Sequence, residues 1–175
     1  IARGGVSGFT VGWRSADPDG LRIQRFSPEG LPSGPVVQVT DVDLHLVESM
    51  AIARDANGHD LVMWRTSSGF THVVQRLFVT AFDATGARLF PVVQLAQSSG
   101  IDGKVSGYSA VGGPAGGWIA AWTAYSTGGP GRVYSQRIQP TSGPVGTPTL
   151  LADQGETWTH LVGLADGGET LLAAG

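Results

Sequence analysis

Short apolar runs recur along the whole chain, most with polar residues at alternate positions, and nearly every run stops at a cluster of Gly, Asp, Asn, Ser or Pro. Alternation with period two predicts half-buried β-strands, and the Gly-rich stops predict tight hairpin turns. A long stripe of period 3.6 is missing, and Gly or Pro interrupts the longer runs, so the pattern does not support helix. The runs also repeat. "FTVGWR", "DLVMWR" and "WIAAWT" align on Trp13, Trp64 and Trp122, and "TLLAA" places Ala174 at the same point. Upstream, "IARGGVSGFTVGW" lies against "IARDANGHDLVMW", and "LVGLADGGETLLAA" continues the pattern. Downstream, "LRIQRFSPEG", "LFVTAFDATG" and "VYSQRIQPTSG" each run into a Gly turn, followed by "PVVQV", "PVVQL" and "TPTLL".

Each unit thus reads as four short strands, A to D. The units cover residues 1–39, 50–95 and 108–151, with a partial unit at 161–175 holding A and B alone. Four-stranded antiparallel units of this length are the blades of a β-propeller, so the expected fold is all-β, a propeller with about three and a half blades in this chain. A sandwich is the other all-β architecture, but it gives no reason for a tryptophan to recur on one strand. Unit two is longer by about five residues, which the pattern assigns to a lengthened or bulged strand C. Its Gln75–Arg76 can be aligned with Gln24–Arg25 and Gln136–Arg137 by distance from the tryptophan, whereas "AFDATG" aligns by its turn. Trp13, Trp64 and Trp122 are expected in the core between blades. The Gln-Arg pairs are expected to make structural hydrogen bonds on an outer strand.

The strings "LADGGETLLAAG", "GFTVGWRS", "RIQRFSPEGLPSGPVVQV" and "YSQRIQPTSGPVG" resemble a bacterial secreted and cell-surface propeller-type tandem repeat, found in large extracellular proteins that include RTX-like ones. The resemblance covers nearly the whole chain and rests on structural motifs. It implies an extracellular repetitive scaffold and implies no activity. Propellers close with four to eight blades. The expectation is therefore that this segment belongs to a longer propeller, or that copies assemble to complete a ring.

Composition narrows the partners. Charged residues make up 14% of the 175, well below the ordinary share of about 25%. Net charge is −3, and Lys104 is the single lysine, which argues against nucleic acid or an anionic membrane as partner. No apolar run reaches the roughly 20 residues of a membrane-spanning helix. The absence of cysteine excludes disulfides and thiolate metal sites.

Candidate chemistry is sparse. In a propeller the D-to-A and B-to-C connections share one face, and variable loops on a rigid frame are where binding tends to occur. That face holds the candidate ligand-binding residues Asp17, Asp19, Asp43, His45, Tyr125 and Trp158, together with Asp41 and Asp102. "DQGETWTH" at 153–160 carries most of an Asp-box, the folding motif of sialidase-type propellers. It falls in a D-to-A connection, however, and has Leu151 where the motif has serine. It reads as a crossover into the fourth unit. Trp158 is then either a sugar-stacking platform or cover for a blade edge. "DPDG" at 17–20 is a candidate calcium loop and also an ordinary turn, since calcium wants six to eight oxygens. The four histidines fall at unlike positions, and no nucleophile, phosphate-loop or zinc motif is present. No catalytic residue and no required cofactor is assigned. The leading function is a non-enzymatic extracellular scaffold, adhesion or binding module that meets protein or glycan at a cell surface. The alternatives are a carbohydrate-binding lectin and a piece of a propeller enzyme whose catalytic residues lie elsewhere.

Overall fold

Alternating strands closed by Gly-bearing turns yield an all-β chain. The computed structural model describes residues 2–3, 8–16, 19–40, 47–68, 74–98, 103–126, 129–153, 158–163 and 169–174; for 2–3, 19, 158–163 and 169–174 it describes the backbone path alone. The described residues form fifteen strands and no helix. Sheet I contains β1 (Ala2–Arg3), β2 (Phe9–Ala16), β3 (Asp19–Phe26) and β4 (Val37–Thr40). Sheet II contains β5 (Val47–Arg54), β6 (Asp60–Ser68), β7 (Val74–Phe82) and β8 (Arg88–Ser98). Sheet III contains β9 (Lys104–Gly112), β10 (Trp118–Tyr125) and β11 (Gly131–Gln139). Its fourth place is shared by β12 (Gly143–Pro144) and β13 (Thr149–Ala152), which both pair with β11. Sheet IV is the hairpin β14 (Trp158–Gly163) and β15 (Glu169–Ala174). Every sheet is an antiparallel meander in chain order.

The turns repeat one device. At Asp55–Gly58 the side-chain Oδ1 of Asp55 accepts the N–H groups of Asn57 and His59, both at 2.9 Å. At Asp83–Gly86, Asp83 Oδ1 accepts those of Thr85 (2.8 Å) and Ala87 (2.9 Å). The fourth residue takes a left-handed φ, 79° at Gly58 and 90° at Gly86, which only glycine adopts without cost.

The sheets stack face to face. Side chains alternate across a strand, so neighbouring residues of β6 point to opposite neighbours. Val62 and Trp64, with Val47 and Phe82, meet Leu21, Ile23 and Val39 of sheet I. Leu61 and Met63, with Leu77, Val79 and Ala81, meet Val105, Trp118, Ala120, Trp122 and Ile138 of sheet III. The first strands of successive sheets run together: β1 touches β5, β5 touches β9, and β9 touches β14. The sheets approach closely enough that a Cβ at Gly112 would lie 2.0 Å from the backbone oxygen of Arg54.

Trp64 and Trp122 are buried, and each stacks on its cross-strand partner, Phe78 (centroids 5.7 Å apart) and Tyr134 (6.0 Å). Trp13 stands at the same register point but is only partly buried, because it lies on the face of sheet I turned away from sheet II.

Three expectations need correction. Trp13, Trp64 and Trp122 face Arg22, Phe78 and Tyr134, so the residues two and three further on correspond: Gln24–Arg25, Thr80–Ala81 and Gln136–Arg137. Gln75–Arg76 is not part of that series. It lies beside the connection of the β6–β7 hairpin, where Gln75 Oε1 accepts the Val105 N–H at 2.8 Å. The extra length of unit two accordingly sits at the top of this hairpin, shared between its connection and one added residue on each strand, because lengthening there leaves the core register intact. Arg25, finally, is no outer-strand arginine. Its Nε lies 2.6 Å from Oδ2 of Asp60, which is fully buried, while Arg54 Nε holds Oδ1 at 2.8 Å. Thr10 Oγ1 donates to the same carboxylate at 2.9 Å and is also bonded by Arg54 Nη2.

Removing one member of a buried charge network strands the others without compensation, at a cost of about 3–5 kcal/mol. Asp60→Ala and Asp60→Asn are expected to lower the urea-unfolding free energy by that order, and an unchanged midpoint would contradict the network's role. Gly112→Ala is expected to destabilise by about 1–3 kcal/mol, through overpacking against an unyielding carbonyl, in the same measurement.

Candidate functional site

At the end of the stack where β8 and β10 finish and β11 begins, the faces of sheets II and III enclose an open groove of about 490 Å³. One wall is Gln97 and Ser98 at the end of β8. The other is Ala124 and Tyr125 at the end of β10, Ser126 beyond it, and Arg132 and Tyr134 on β11. Arg132 is directly opposite Ala124 and Tyr134 opposite Trp122, so strand alternation places both on the face that looks toward sheet II. The Trp122–Tyr134 stack fixes the second ring from below.

Charge in the groove is balanced. Arg132 Nε donates to Asp153 Oδ1 at 2.6 Å, and both side chains are about half exposed. This hydrogen bond, then the charge of Asp153, then the Tyr134 hydroxyl hold the guanidinium above its already high ordinary pKa. Gln97 Oε1 accepts from its cross-strand partner Arg76 at 3.2 Å, which places its side chain on the face of sheet II turned from the groove. Ser98 is buried at 6% exposure, and its Oγ has no hydrogen-bond partner among the described residues. Buried hydroxyls nearly always find partners, and this oxygen, which exposes almost no surface, is one of the few among the described residues that do not.

Titratable groups also gather along the contact of β5 and β9. Arg65 Nε pairs with Glu48 Oε2 at 2.7 Å and its Nη1 donates to the Val105 carbonyl at 2.6 Å. The Tyr108 hydroxyl donates to Ser49 Oγ at 2.8 Å, and burial pushes its pKa upward. At the opposite end of sheet II, Asp55 Oδ2 meets His59 Nδ1 at 3.0 Å and accepts the Gly117 N–H at 2.9 Å. That carboxylate is committed to closing the turn and tying sheet II to sheet III.

Of the residues singled out in the sequence, Tyr125 lines the groove. Asp19 opens β3 opposite Ala16, and Trp158 opens β14 opposite Ala174, each described by backbone alone. Asp17, Asp41, Asp43, His45 and Asp102 lie outside the described residues. Among the described residues no group of three or more His, Cys, Asp or Glu could hold a metal ion. "DQGETWTH" spans from Asp153, the partner of Arg132, into β14. Sequence reasoning missed Gln97, Ser98, Ser126, Arg132 and Tyr134. The sequence reading counts the first three within the D-to-A and B-to-C connections, but Gln97 and Ser98 are strand residues at the end of β8 and only Ser126 lies in a connection. Arg132 and Tyr134 were detectable only through their cross-strand register with Ala124 and Trp122. No family model matches the chain, and neither a curated protein nor a solved structure matches it.

The raised pKa of Tyr108 gives an alkaline signature. The neutral phenol is favoured in the folded state, so its contribution is complete below the ordinary value of 10.0 and is lost as pH rises through the higher folded value. Unfolding free energy is expected to decline above about pH 10, and Tyr108→Phe is expected to remove part of that decline. Denaturation curves between pH 8 and 11 check it, and identical slopes in the two proteins would contradict it.

Proposed function

We propose that the chain is a non-enzymatic β-propeller module, an extracellular scaffold that binds its partners on the face where β8 and β10 end. The observation that carries this reading is the way the sheets meet. A sandwich has two sheets, each with one outer face, whereas sheet II buries both faces and the stack continues from I through II to III and on to the hairpin IV. Contact of first strand with first strand all along the series is what blades set around an axis would give, and it supports this reading. Trp64 and Trp122, each on the second strand of its sheet, then play one part, filling the space between that sheet and the one before it. A frame of this kind leaves hairpin connections free to vary, and the groove at their base joins two blades.

Closure needs four to eight blades. Three complete sheets and a hairpin therefore call for further sheets, supplied by more of the same polypeptide or by other copies. The partly buried Trp13 face of sheet I is the surface such a sheet would cover. Light scattering on the purified 175-residue chain, followed by negative-stain imaging, tests the reading. Ring-shaped particles built from more than one copy are expected. A monodisperse monomer whose sheets form a closed two-layer sandwich would overturn it.

A further inference from the structure

We infer that the outer half of sheet III and the free edge of β15 form an acceptor for a β-hairpin donated by a partner polypeptide, an assignment that rests on the propeller reading and names a partner for sheet IV. The outer strands carry one bulge at one register. In β4 it falls between the partners of Leu21 and Arg22, in β8 between those of Leu77 and Phe78, and in β13 between those of Val133 and Tyr134. The inserted residues are Val39, Leu95 and Leu151. A bulge re-aims the side chain it inserts. Val39 is sent into the core shared with sheet II and is fully buried, and Leu95 packs against the core shared with sheet III. Leu151, at the same point of sheet III, is 44% exposed.

The two complete junctions show what covers this position. Val39 shares its core with Phe78 and Phe82 of β7, and Arg88 of β8 donates to its carbonyl at 2.8 Å. Leu95 shares its core with Tyr134 and Ile138 of β11, and β12 touches β8. The cover is thus the third strand of the following sheet and the start of its fourth. In sheet IV, β14 runs beside β9 and β10, the inner strands of sheet III, and β15 pairs with β14 alone among the described residues. β15 therefore offers an unpaired row of backbone donors and acceptors next to an exposed apolar side chain, which is what an added strand recognises. Arg137 belongs to the same surface. It is the counterpart of Arg25, whose Nη2 donates to the Phe82 carbonyl of β7 at 3.4 Å, and it is exposed. The partner that fits is an antiparallel strand pair. Its first strand pairs with β15, lays a large apolar side chain on Leu151 and offers a carbonyl to Arg137.

The test titrates the full chain with a labelled synthetic peptide of residues 74–98, the hairpin that covers Val39, and reads fluorescence anisotropy. Micromolar binding is expected, with slowed hydrogen exchange at the β15 amides. Leu151→Asp is expected to weaken it at least tenfold, as is Phe78→Asp in the peptide. Leu31→Asp, at an exposed apolar residue of the β3–β4 connection, is expected to bind as the parent does. Circular dichroism checks that each variant folds, and the altered peptide decides the matter should Leu151→Asp fail to. No binding, binding indifferent to Phe78→Asp, or protection confined to the edges of β4 or β8 would each overturn the assignment. So would β15 amides already protected without peptide, the mark of copies pairing with one another there. Ring-shaped particles that leave the peptide unbound would sink the acceptor and leave the module standing. Peptide capture at β15 by a chain that forms no ring would do the reverse.

Discussion

The central strand of sheet II, β6, has no face toward solvent, and most of the structure follows from that. In β6, Asp60, Leu61, Val62, Met63 and Trp64 are buried in succession, with alternate residues committed to different neighbours. A strand with one wet face can hide its polar residues on that side; this one cannot. Any polar residue here must therefore find its partner on the adjoining sheet. Asp60 does so through Arg25 of sheet I and Arg54 of its own sheet, with Thr10 closing the set. The carboxylate welds two sheets because it has no water to turn to.

The next junction solves the same packing problem without charge. By cross-strand register, Asp60, Arg54 and Arg25 at the I–II contact correspond to Trp118, Gly112 and Ala81 at the II–III contact. A large indole stands in for the carboxylate, and two small residues stand in for the two arginines that would reach it. The indole Nε1 then donates to the Ala53 carbonyl at 3.1 Å, so the new occupant is also satisfied. Exchange of buried ions for well-packed apolar groups is often energetically neutral. It explains why Ala81 is right in a place where the neighbouring units carry arginine: with Trp118 ahead of it, a guanidinium would have no acid to meet. Gly112 is confined for a second reason, since the Arg54 backbone fills the space beside it.

The groove grows from the same stacking. Deep in the junction Trp122 and Tyr134 fill the gap between sheets, while at the strand ends the side chains shorten to Ala124, Ser98 and Ser126 and space opens. The rigid pair beneath and the unmatched Ser98 hydroxyl at the wall thus belong to one gradient, from packed core to polar rim. A binding site placed there inherits its shape from the core below it, so ligand contacts on this face would be set by strand register as much as by the variable connections.

How much of this the sequence carried can be judged residue by residue. Period-two alternation and Gly-closed turns specified strands and hairpins at "SPEG" and "DATG", because those signals are local and a turn with φ above zero admits little else. The recurring tryptophan likewise marked Trp64 and Trp122 as core positions, whereas Trp13, expected there too, is only partly buried. Register escaped it. Gln75–Arg76 looked like its counterparts, yet only the pairing of Trp64 with Phe78 revealed that Thr80–Ala81 holds their place. Arg25 looked like a surface residue because its acid lies 35 positions away on another sheet. The groove residues Ser98, Arg132 and Tyr134 are unremarkable in sequence for the same reason. Local patterning decides what a segment becomes, whereas partners across sheets meet only after the stack has formed, and no spacing along the chain records that meeting.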